Sequence, residues 1–426
     1  MAKKLFLLAN MLFIVLAVSA TMIMAQDSKV PGGSETVPLG ADVRNGKLVF
    51  QSEDENFRWW FDSRLQMDGA FYFNSKNEMS NGTVFRRLTF AMKATFYQYW
   101  DTEFDMDFAE AVAGSDQTSL RDMYVKYRVP GIGMSFQAGN FKEVFGMERL
   151  NSSRLLTFLE RSTPTNAFTL GRRIGFAGRY WNNYGQFSAG IFGHEAGTRI
   201  DKGQRDEGYS TAARLSVAPI NKHGKNLHIG AAMSYKTPDA VADLSENTIE
   251  VNARAETYVS NPKLLHTGDI TDVDYFTRYG AEFMGIYGPF YIQSEALGMT
   301  VERWYGKERV NLYGAYATMA YVLTGETRYY YIDEGEVGPI EKPKHKWGAL
   351  EVAVRVSKTN LNDLPAGIHG GKSKQLMLGI NYYPNVNIKL QFNYSAVDFD
   401  KYATRKGNLF GNDDHQFIQF RIQGSF

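Results

Sequence analysis

The sequence predicts an all-β fold: a transmembrane antiparallel barrel of about sixteen strands, with its third external loop folded inward. Three observations carry that prediction. Many segments alternate apolar and polar residues with a period of two, short and long connections take turns along the chain, and the amino terminus is built like an export signal.

The elements follow in chain order. Lys3 and Lys4 precede an apolar run from Leu5 to Val18, and the small residues Ala20 and Ala25 offer cleavage points. Residues 1–25 are read as a signal peptide that leaves Gln26 first, with cleavage after Ala20 as the alternative. An uncleaved anchor is disfavoured because Asn10 interrupts a short apolar stretch. Residues 26–56, with Pro31, Gly32, Gly33 and Pro38, have weak periodicity and read as a flexible periplasmic segment carrying one short strand at Lys47–Gln51. Residues 57–426 are assigned to the barrel.

Composition narrows the classes. Loss of Lys3 and Lys4 leaves 45 Lys and Arg against 46 Asp and Glu, a formal net charge of −1. Nucleic acid therefore finds no global field to follow, and any charge selectivity has to be local. There are 0 cysteines, which excludes disulfides, thiolate metal sites and a lipidated N-terminal Cys. Beyond the signal no apolar run reaches the ~20 residues of a membrane helix, so an exported chain that spans a membrane must use strands. The 25 Tyr and 29 Phe suit strands with aromatic girdles.

Alternation is clearest near the carboxyl terminus. In Asn387–Val397 the outward set is Ile388, Leu390, Phe392, Tyr394 and Ala396, and the inward set is Asn387, Lys389, Gln391, Asn393 and Ser395. Ala349–Ser357 places Leu350, Val352, Val354 and Val356 outside, with Glu351 and Arg355 inside. The last strand puts Ile418, Phe420, Ile422 and Phe426 on one face, with Gln419, Arg421 and Gln423 on the other. Asp101–Ala109 opposes Phe104, Met106 and Phe108 to a carboxylate row, Asp101, Glu103, Asp105 and Asp107.

Short turns at Tyr97–Trp100, Pro130–Ile132, Asn182–Tyr184, Tyr287–Pro289 and Pro384–Val386 separate longer polar connections, including Asn140–Arg172 and Lys236–Tyr275. That rhythm places both termini on the periplasmic side of an even-numbered barrel. Two segments strain the count. Gly325–Lys346 is long for a periplasmic turn, and Glu250–Thr257 is strand-like inside an external loop. Eighteen strands is the alternative they leave open.

The third external connection, Asn140–Arg172, is long enough to enter the barrel and narrow it. It carries Lys142, Arg149, Arg154, Arg161 and Arg172 against Glu143, Glu148 and Glu160. Strand parity adds inward cations at Arg58, Arg64, Arg87, Arg173, Arg179 and Arg214. Arg86 has outward parity, which places it at a rim or on a bulge. Arginine forks suit transient contact with phosphate or carboxylate oxygens. The competing reading pairs these arginines with the carboxylate row and Asp122, as wall structure only.

Several segments, in order, resemble the phosphate-selective porin O and P family: Phe85-Arg86-Arg87, Leu120-Arg121-Asp122-Met123-Tyr124, Gly139-Asn140-Phe141-Lys142-Glu143-Val144-Phe145-Gly146, Phe158-Leu159-Glu160-Arg161, Gly171-Arg172-Arg173-Ile174-Gly175, Leu323-Thr324-Gly325-Glu326 and Trp347-Gly348-Ala349-Leu350-Glu351. The similarity spans about Phe57 to Phe426. It implies a sixteen-stranded outer-membrane porin, a homotrimer, with a constriction at the third loop and small anions such as phosphate as solutes. Outer-membrane lipid and the barrel assembly machinery are the further partners implied. By position the resemblance points to Arg86, Arg87, Lys142 and Arg161 as anion contacts, and to Asp122 and Tyr124 on the strand motif. The strands after Tyr209 show only Arg214 in place of a run of arginines, and the loop glutamates dilute the positive charge.

A general, non-selective porin is the nearest alternative. An outer-membrane enzyme such as a lipase is the rival from another class. Its best candidates, Ser234 and His228, share inward parity but no motif. No catalytic, cofactor or metal residues are assigned.

Overall fold

A computed structural model describes residues 39–44, 46–113, 119–196, 207–239, 247–259 and 262–426. The expected signal peptide, residues 1–25, lies outside them. The chain begins with a hairpin, β1 (Leu39–Arg44) and β2 (Lys47–Ser52), followed by β3 (Phe57–Phe61) and β4 (Arg64–Phe73). One wall continues with β5 (Gly82–Phe96), β6 (Trp100–Asp107), β7 (Ser119–Arg128), β8 (Met134–Lys142), β9 (Arg172–Asn182) and β10 (Gly185–Phe192). Then come β11 (Ser210–Lys222) and β12 (Lys225–Lys236), a loop hairpin of β13 (Ile249–Ala253) and β14 (Leu265–Ile270), and β15 (Val273–Tyr287), β16 (Phe290–Arg303) and β17 (Val310–Val322). A second hairpin, β18 (Arg328–Tyr331) and β19 (Glu336–Ile340), precedes β20 (Ala349–Asp363), β21 (Ile368–Tyr383), β22 (Ile388–Phe399) and β23 (His415–Ser425).

Closure is direct. β23 pairs antiparallel with β4, from Gln416↔Phe73 to Ser425↔Arg64. Ser63 and Phe426 clasp the seam with reciprocal backbone bonds of 2.6 and 3.1 Å. β3 and β4 both pair with β5 and are two halves of one strand broken at Asp62 and Ser63. Of the 19 strands in the main sheet, the β1–β2 hairpin is an appendage, and the barrel is closed by 16. The eighteen-strand alternative fails because β13–β14 and β18–β19 each form a separate two-stranded sheet, off the barrel ladder.

The segment expected to be flexible is partly ordered. β2 falls where the one strand was predicted, β1 pairs with it, and β2 joins the barrel through Val49↔Trp60, Phe50↔Trp59 and Gln51↔Arg58. Phe50 stacks on Trp59 at 4.2 Å between ring centres, which fixes this hairpin beneath the turn end of the barrel. Sheet pairing therefore runs straight across the boundary expected at residue 57.

The predicted alternation holds along β20 to β23: Ile388, Leu390 and Phe392 are exposed on the outer face, and Lys389, Gln391 and Asn393 are buried inside. The interior is only half wet, however. A barrel of sixteen strands leaves a bore that wall side chains cannot fill, and here loops fill one side of it. Phe145, Phe158 and Phe168 of the third loop join Leu264 and Leu265 of the fifth, against inward Val301, Val310, Leu312, Leu361 and Phe417. Those strand ends are apolar on both faces, the pattern of strands covered on both sides.

Candidate functional site

The third loop sets the geometry. Its first short helix, α2 (Met147–Leu150), follows α1 (Ala109–Val112) of the second loop and starts after Gly146, whose φ of 78° is disfavoured for side-chain-bearing residues. The orphan N–H groups of Met147 and Glu148 donate to the Glu295 carboxylate at 2.8 and 2.7 Å. The second, α3 (Thr163–Phe168), has Pro164 in its first turn and Ser162 as its N-cap, accepting from the Thr165 N–H.

Two of the loop's carboxylates turn to the filled side, and the third, Glu160, bridges that side to the cavity-lining Arg86. Glu148 accepts from Arg355 at 2.7 Å, Glu143 from Arg278 at 2.6 Å, and Glu160 from Arg86 at 2.7 Å and Arg421 at 2.8 Å. Arg355 also reaches Glu256 of the fifth loop at 2.9 Å, tying both loops to the wall. Arg421 holds Asp68 with two bonds of 2.6 and 2.7 Å. None of Glu143, Glu148 and Glu160 itself lines the open space, although Glu160 still offsets the lining cations Arg86, at 2.7 Å, and Arg87, at 3.9 Å.

What remains open is a cavity of about 1200 Å³ between the third loop and the β4–β10 wall, bordered by Tyr258 and by Tyr331, Glu334 and Glu336 of the β18–β19 hairpin. Of the predicted residues, Arg86, Arg87, Asp122, Tyr124, Lys142, Arg149, Arg154, Arg161 and Arg179 line it. Arg173 and Arg214 do not. Arg173 donates to the Gly193 carbonyl at 3.0 Å, and Arg214 is 1% exposed, locked onto Glu282 at 2.9 Å and the Gly335 carbonyl at 2.7 Å. Their inward parity is right, but the β18–β19 hairpin caps Arg214, and Arg173 is turned onto the chain that follows β10.

The lining cations fall into two groups. Arg86 binds Glu160, Arg154 binds Asp62 at 2.6 Å, and Arg172 binds Asp122 at 2.5 Å. Lys142, Arg149 and Arg161 have neutral partners: Lys142 donates to the Leu150 and Asn151 carbonyls, Arg149 to Leu170 at 2.8 Å, and Arg161 to Glu148 and Asn151 at 2.9 and 2.7 Å. Arg87 donates to Gln66 at 2.6 Å, with Glu160 3.9 Å away, and Arg179 donates to the Asp333 carbonyl at 3.3 Å. Burial, followed by repulsion from Arg161 and Arg172, brings Arg149 down to about 9. Burial lowers Arg161 to about 10, opposed by Glu148 and Glu160. Cations crowded in this way, with no carboxylate in direct contact, favour an entering anion.

Two bulges aim these motifs. Gln66 faces Arg87 while Met67 faces Phe85, so Arg86 is the extra residue and turns inward, as the bulge alternative required. Its guanidinium lies 3.6 Å from the Tyr258 ring centre. A second irregularity, Phe104↔Met123 then Met106↔Leu120, lets both Arg121 and Asp122 face the lumen. Tyr124 donates to Glu103 at 2.9 Å. The Glu103, Asp105 and Asp122 carboxylates come within 4.8 Å of one another, but Lys93, Arg121 and Arg172 already neutralise them at 3.0, 2.9 and 2.5 Å, a poor setting for a metal ion.

Sequence reasoning missed the clamps Arg278, Arg328, Arg355 and Arg421. Parity placed Arg355 and Arg421 inside but gave no sign of their partners. It also missed the β18–β19 hairpin, which enters from the turn end: Arg328 binds Glu351 at 2.5 Å, and Val337 packs in one cluster with Met147. Ser234 and His228 have different partners. Ser234 donates to Glu143 at 3.1 Å, whereas His228 meets Glu282 at 3.2 Å and Tyr330 at 2.8 Å. No nucleophile–base pair forms from them.

Comparison with known proteins places this geometry. The family described as phosphate-selective porin O and P matches residues 60–426. Porin O of Pseudomonas aeruginosa is 24% identical, covering 96% of this chain and 98% of that protein. Among solved structures, an anion-selective porin from Comamonas acidovorans aligns with a TM-score of 0.52 at 12% identity, covering 87% of this chain and 100% of that one. The trimer form of Vibrio cholerae OmpT gives a TM-score of 0.52 at 10% identity, over 87% and 99%. Both share the barrel fold.

Proposed function

This chain belongs to the phosphate-selective porin O and P family and is an outer-membrane β-barrel porin; from that premise we propose that its lumen is an anion-selective diffusion path for phosphate and similar small anions. One observation carries the selectivity: of the third loop's carboxylates, Glu143 and Glu148 are bound to the filled wall and Glu160 bridges Arg421 to Arg86, whereas Lys142, Arg149 and Arg161 border the cavity on neutral acceptors. An anion entering from the loop end meets these cations beside Arg121 and Arg172, then passes Arg154 toward the turn end. Several weak sites in series allow hand-over without a deep trap, and guanidinium forks match phosphate oxygens.

The trimer form of the Vibrio cholerae relative supports extending a homotrimeric state to this chain. The exposed outer face meets outer-membrane lipid, and the closing strand β23, with Ile418, Phe420 and Ile422 on its outer face, suits insertion by the barrel assembly machinery. The test is the reversal potential in planar bilayers under a salt gradient, with phosphate added to the chloride solution. Anion preference with chloride current blocked by phosphate is expected. A permeability ratio near unity without block would return the general-porin reading, and lipid or ester turnover abolished by His228→Ala would return the enzyme.

A further inference from the structure

A second feature lies on the outside of the barrel. Across β16, β17, β20, β21, β22 and β23, the register aligns the outward residues Ser294, Ala317, Val356, Leu376, Ala396 and Gln416 in one row. One step nearer the loop end the row reads Ala296, Ala315, Lys358, Lys374 and Asp398. One step nearer the turns it holds larger groups, among them Ile292, Met319, Leu378 and Tyr394. Small side chains between large ones leave a groove of about 770 Å³ on the lipid-facing wall.

The two lysines at its upper edge are informative. Lys358 stands directly opposite Lys374, and both are exposed. Like charges facing each other across a strand pair are destabilising; on its other side Lys374 faces Asp398, which interacts with it, whereas Lys358 has Ala315 on its other side. Lys372, one outward position above Lys374 and paired with Asn360, adds a third cation. Below them the outer faces of β20 and β21 are apolar: Val356, Val354, Val352, Leu376, Leu378 and Ile380. The lysines therefore mark the edge of the apolar band at the end that carries the long loops, which is the external end.

We propose that this groove holds a phosphorylated glycolipid of the outer leaflet, with a phosphate bridging Lys358 and Lys374 and an acyl chain lying over Ala315, Ala317 and Ala396. Charge and depth agree on the β20–β21 side: Lys358 and Lys374 sit where headgroup phosphates lie, Asp398 and Asp414 are confined to the β22–β23 side, and the apolar floor begins immediately below. The proposal uses the outer-membrane location of the porin and is independent of what the lumen conducts.

Native mass spectrometry of the full-length protein, released from neutral detergent, tests it by titration with bisphosphorylated lipid A, its dephosphorylated form and inorganic phosphate. The bisphosphorylated lipid should stay bound, and Lys358→Gln with Lys374→Gln should weaken it about thirtyfold, the contribution of two surface lysines. The dephosphorylated lipid should bind the native protein no better than the phosphorylated one binds that variant. Ala315→Phe with Ala317→Phe should also expel the lipid, while conductance stays unchanged in both variants because no altered residue borders the lumen. Equal binding by native and lysine-substituted protein overturns the proposal, as does indifference to lipid phosphorylation. Inorganic phosphate retained alone and lost with the lysines would assign the site to free anion. Oligomers dissociated by the groove-filling variant, with lipid binding intact, would make the face a contact between copies.

Discussion

Arg355 on β20 grips Glu148 of the third loop at 2.7 Å, and both side chains are 3% exposed. Its other arm holds Glu256 of the fifth loop at 2.9 Å, so one guanidinium orders two loops that are distant in sequence. A buried fork with both arms paired is hard to replace in part, because removal leaves carboxylates buried without counter-charge.

Arg355→Ala should therefore destabilise the folded barrel by about 3–5 kcal/mol, read as a lower unfolding midpoint in denaturant. Single-channel conductance should rise as the third loop loosens. Arg355→Met combined with Glu148→Gln and Glu256→Gln should recover much of the lost stability. Unchanged conductance in Arg355→Ala would mean the third loop is held by its apolar contacts alone.

Charge sorting in the same loop makes selectivity and stability separable. Arg149→Gln with Arg161→Gln should lower the anion-to-cation permeability ratio several-fold and weaken phosphate block, with folded yield little changed. Arg214→Gln should do the reverse, leaving the ratio unchanged and destabilising by about 3 kcal/mol or more, since it strands Glu282. Reversal potentials and heat-modified migration of each variant check both halves. A fall in selectivity from the Arg214 variant would contradict its exclusion from the lumen.

The inserted hairpin adds a pH dependence. Glu336 borders the lumen, and burial together with the neighbouring Glu334 pushes its carboxyl up to about 7, against Lys142, Arg179 and Arg214. A raised carboxyl is neutral below that value and charged above it. Anion preference should accordingly fall as pH rises from 6 to 8, by about twofold for one charge ~10 Å from the path in a watery lumen. Glu336→Gln should flatten the profile, and a native profile already flat over that range would remove Glu336 from the field.

Topology is best probed on the open wall. Val125 is 49% exposed on the outer face, and its neighbour Lys126 lines the lumen. Val125→Cys should react with lipid-confined reagents and Lys126→Cys with water-soluble ones. Gln391→Cys, inward by parity alone, should resist both, because the third loop covers it through a bond from Gln391 to the Thr157 carbonyl at 3.2 Å. Ready aqueous labelling at position 391 would mean the loop does not cover that wall.

The barrel was legible because strand alternation is local: each step turns a side chain to the opposite face, and Ile388 to Ser395 record lipid on one side and polar groups on the other without reference to distant residues. The paired charges in Phe85-Arg86-Arg87-Leu88 and Leu120-Arg121-Asp122-Met123 also carried a readable signal, since strict alternation would put one charge of each pair into lipid and a bulge removes that conflict. The sequence alone thus determined which residues point inward. It did not determine what lies inside. Arg161 and Arg214 are both inward cations, yet one borders the open cavity on carbonyl partners and the other is locked onto Glu282. Their difference depends on where the third loop, the β13–β14 hairpin and the β18–β19 hairpin settle. Those positions are fixed by contacts such as Arg355 with Glu148 and Val337 with Met147, between residues nearly two hundred or more apart. Tertiary packing made that choice, because a buried carboxylate must find a cation wherever the closed barrel brings one near.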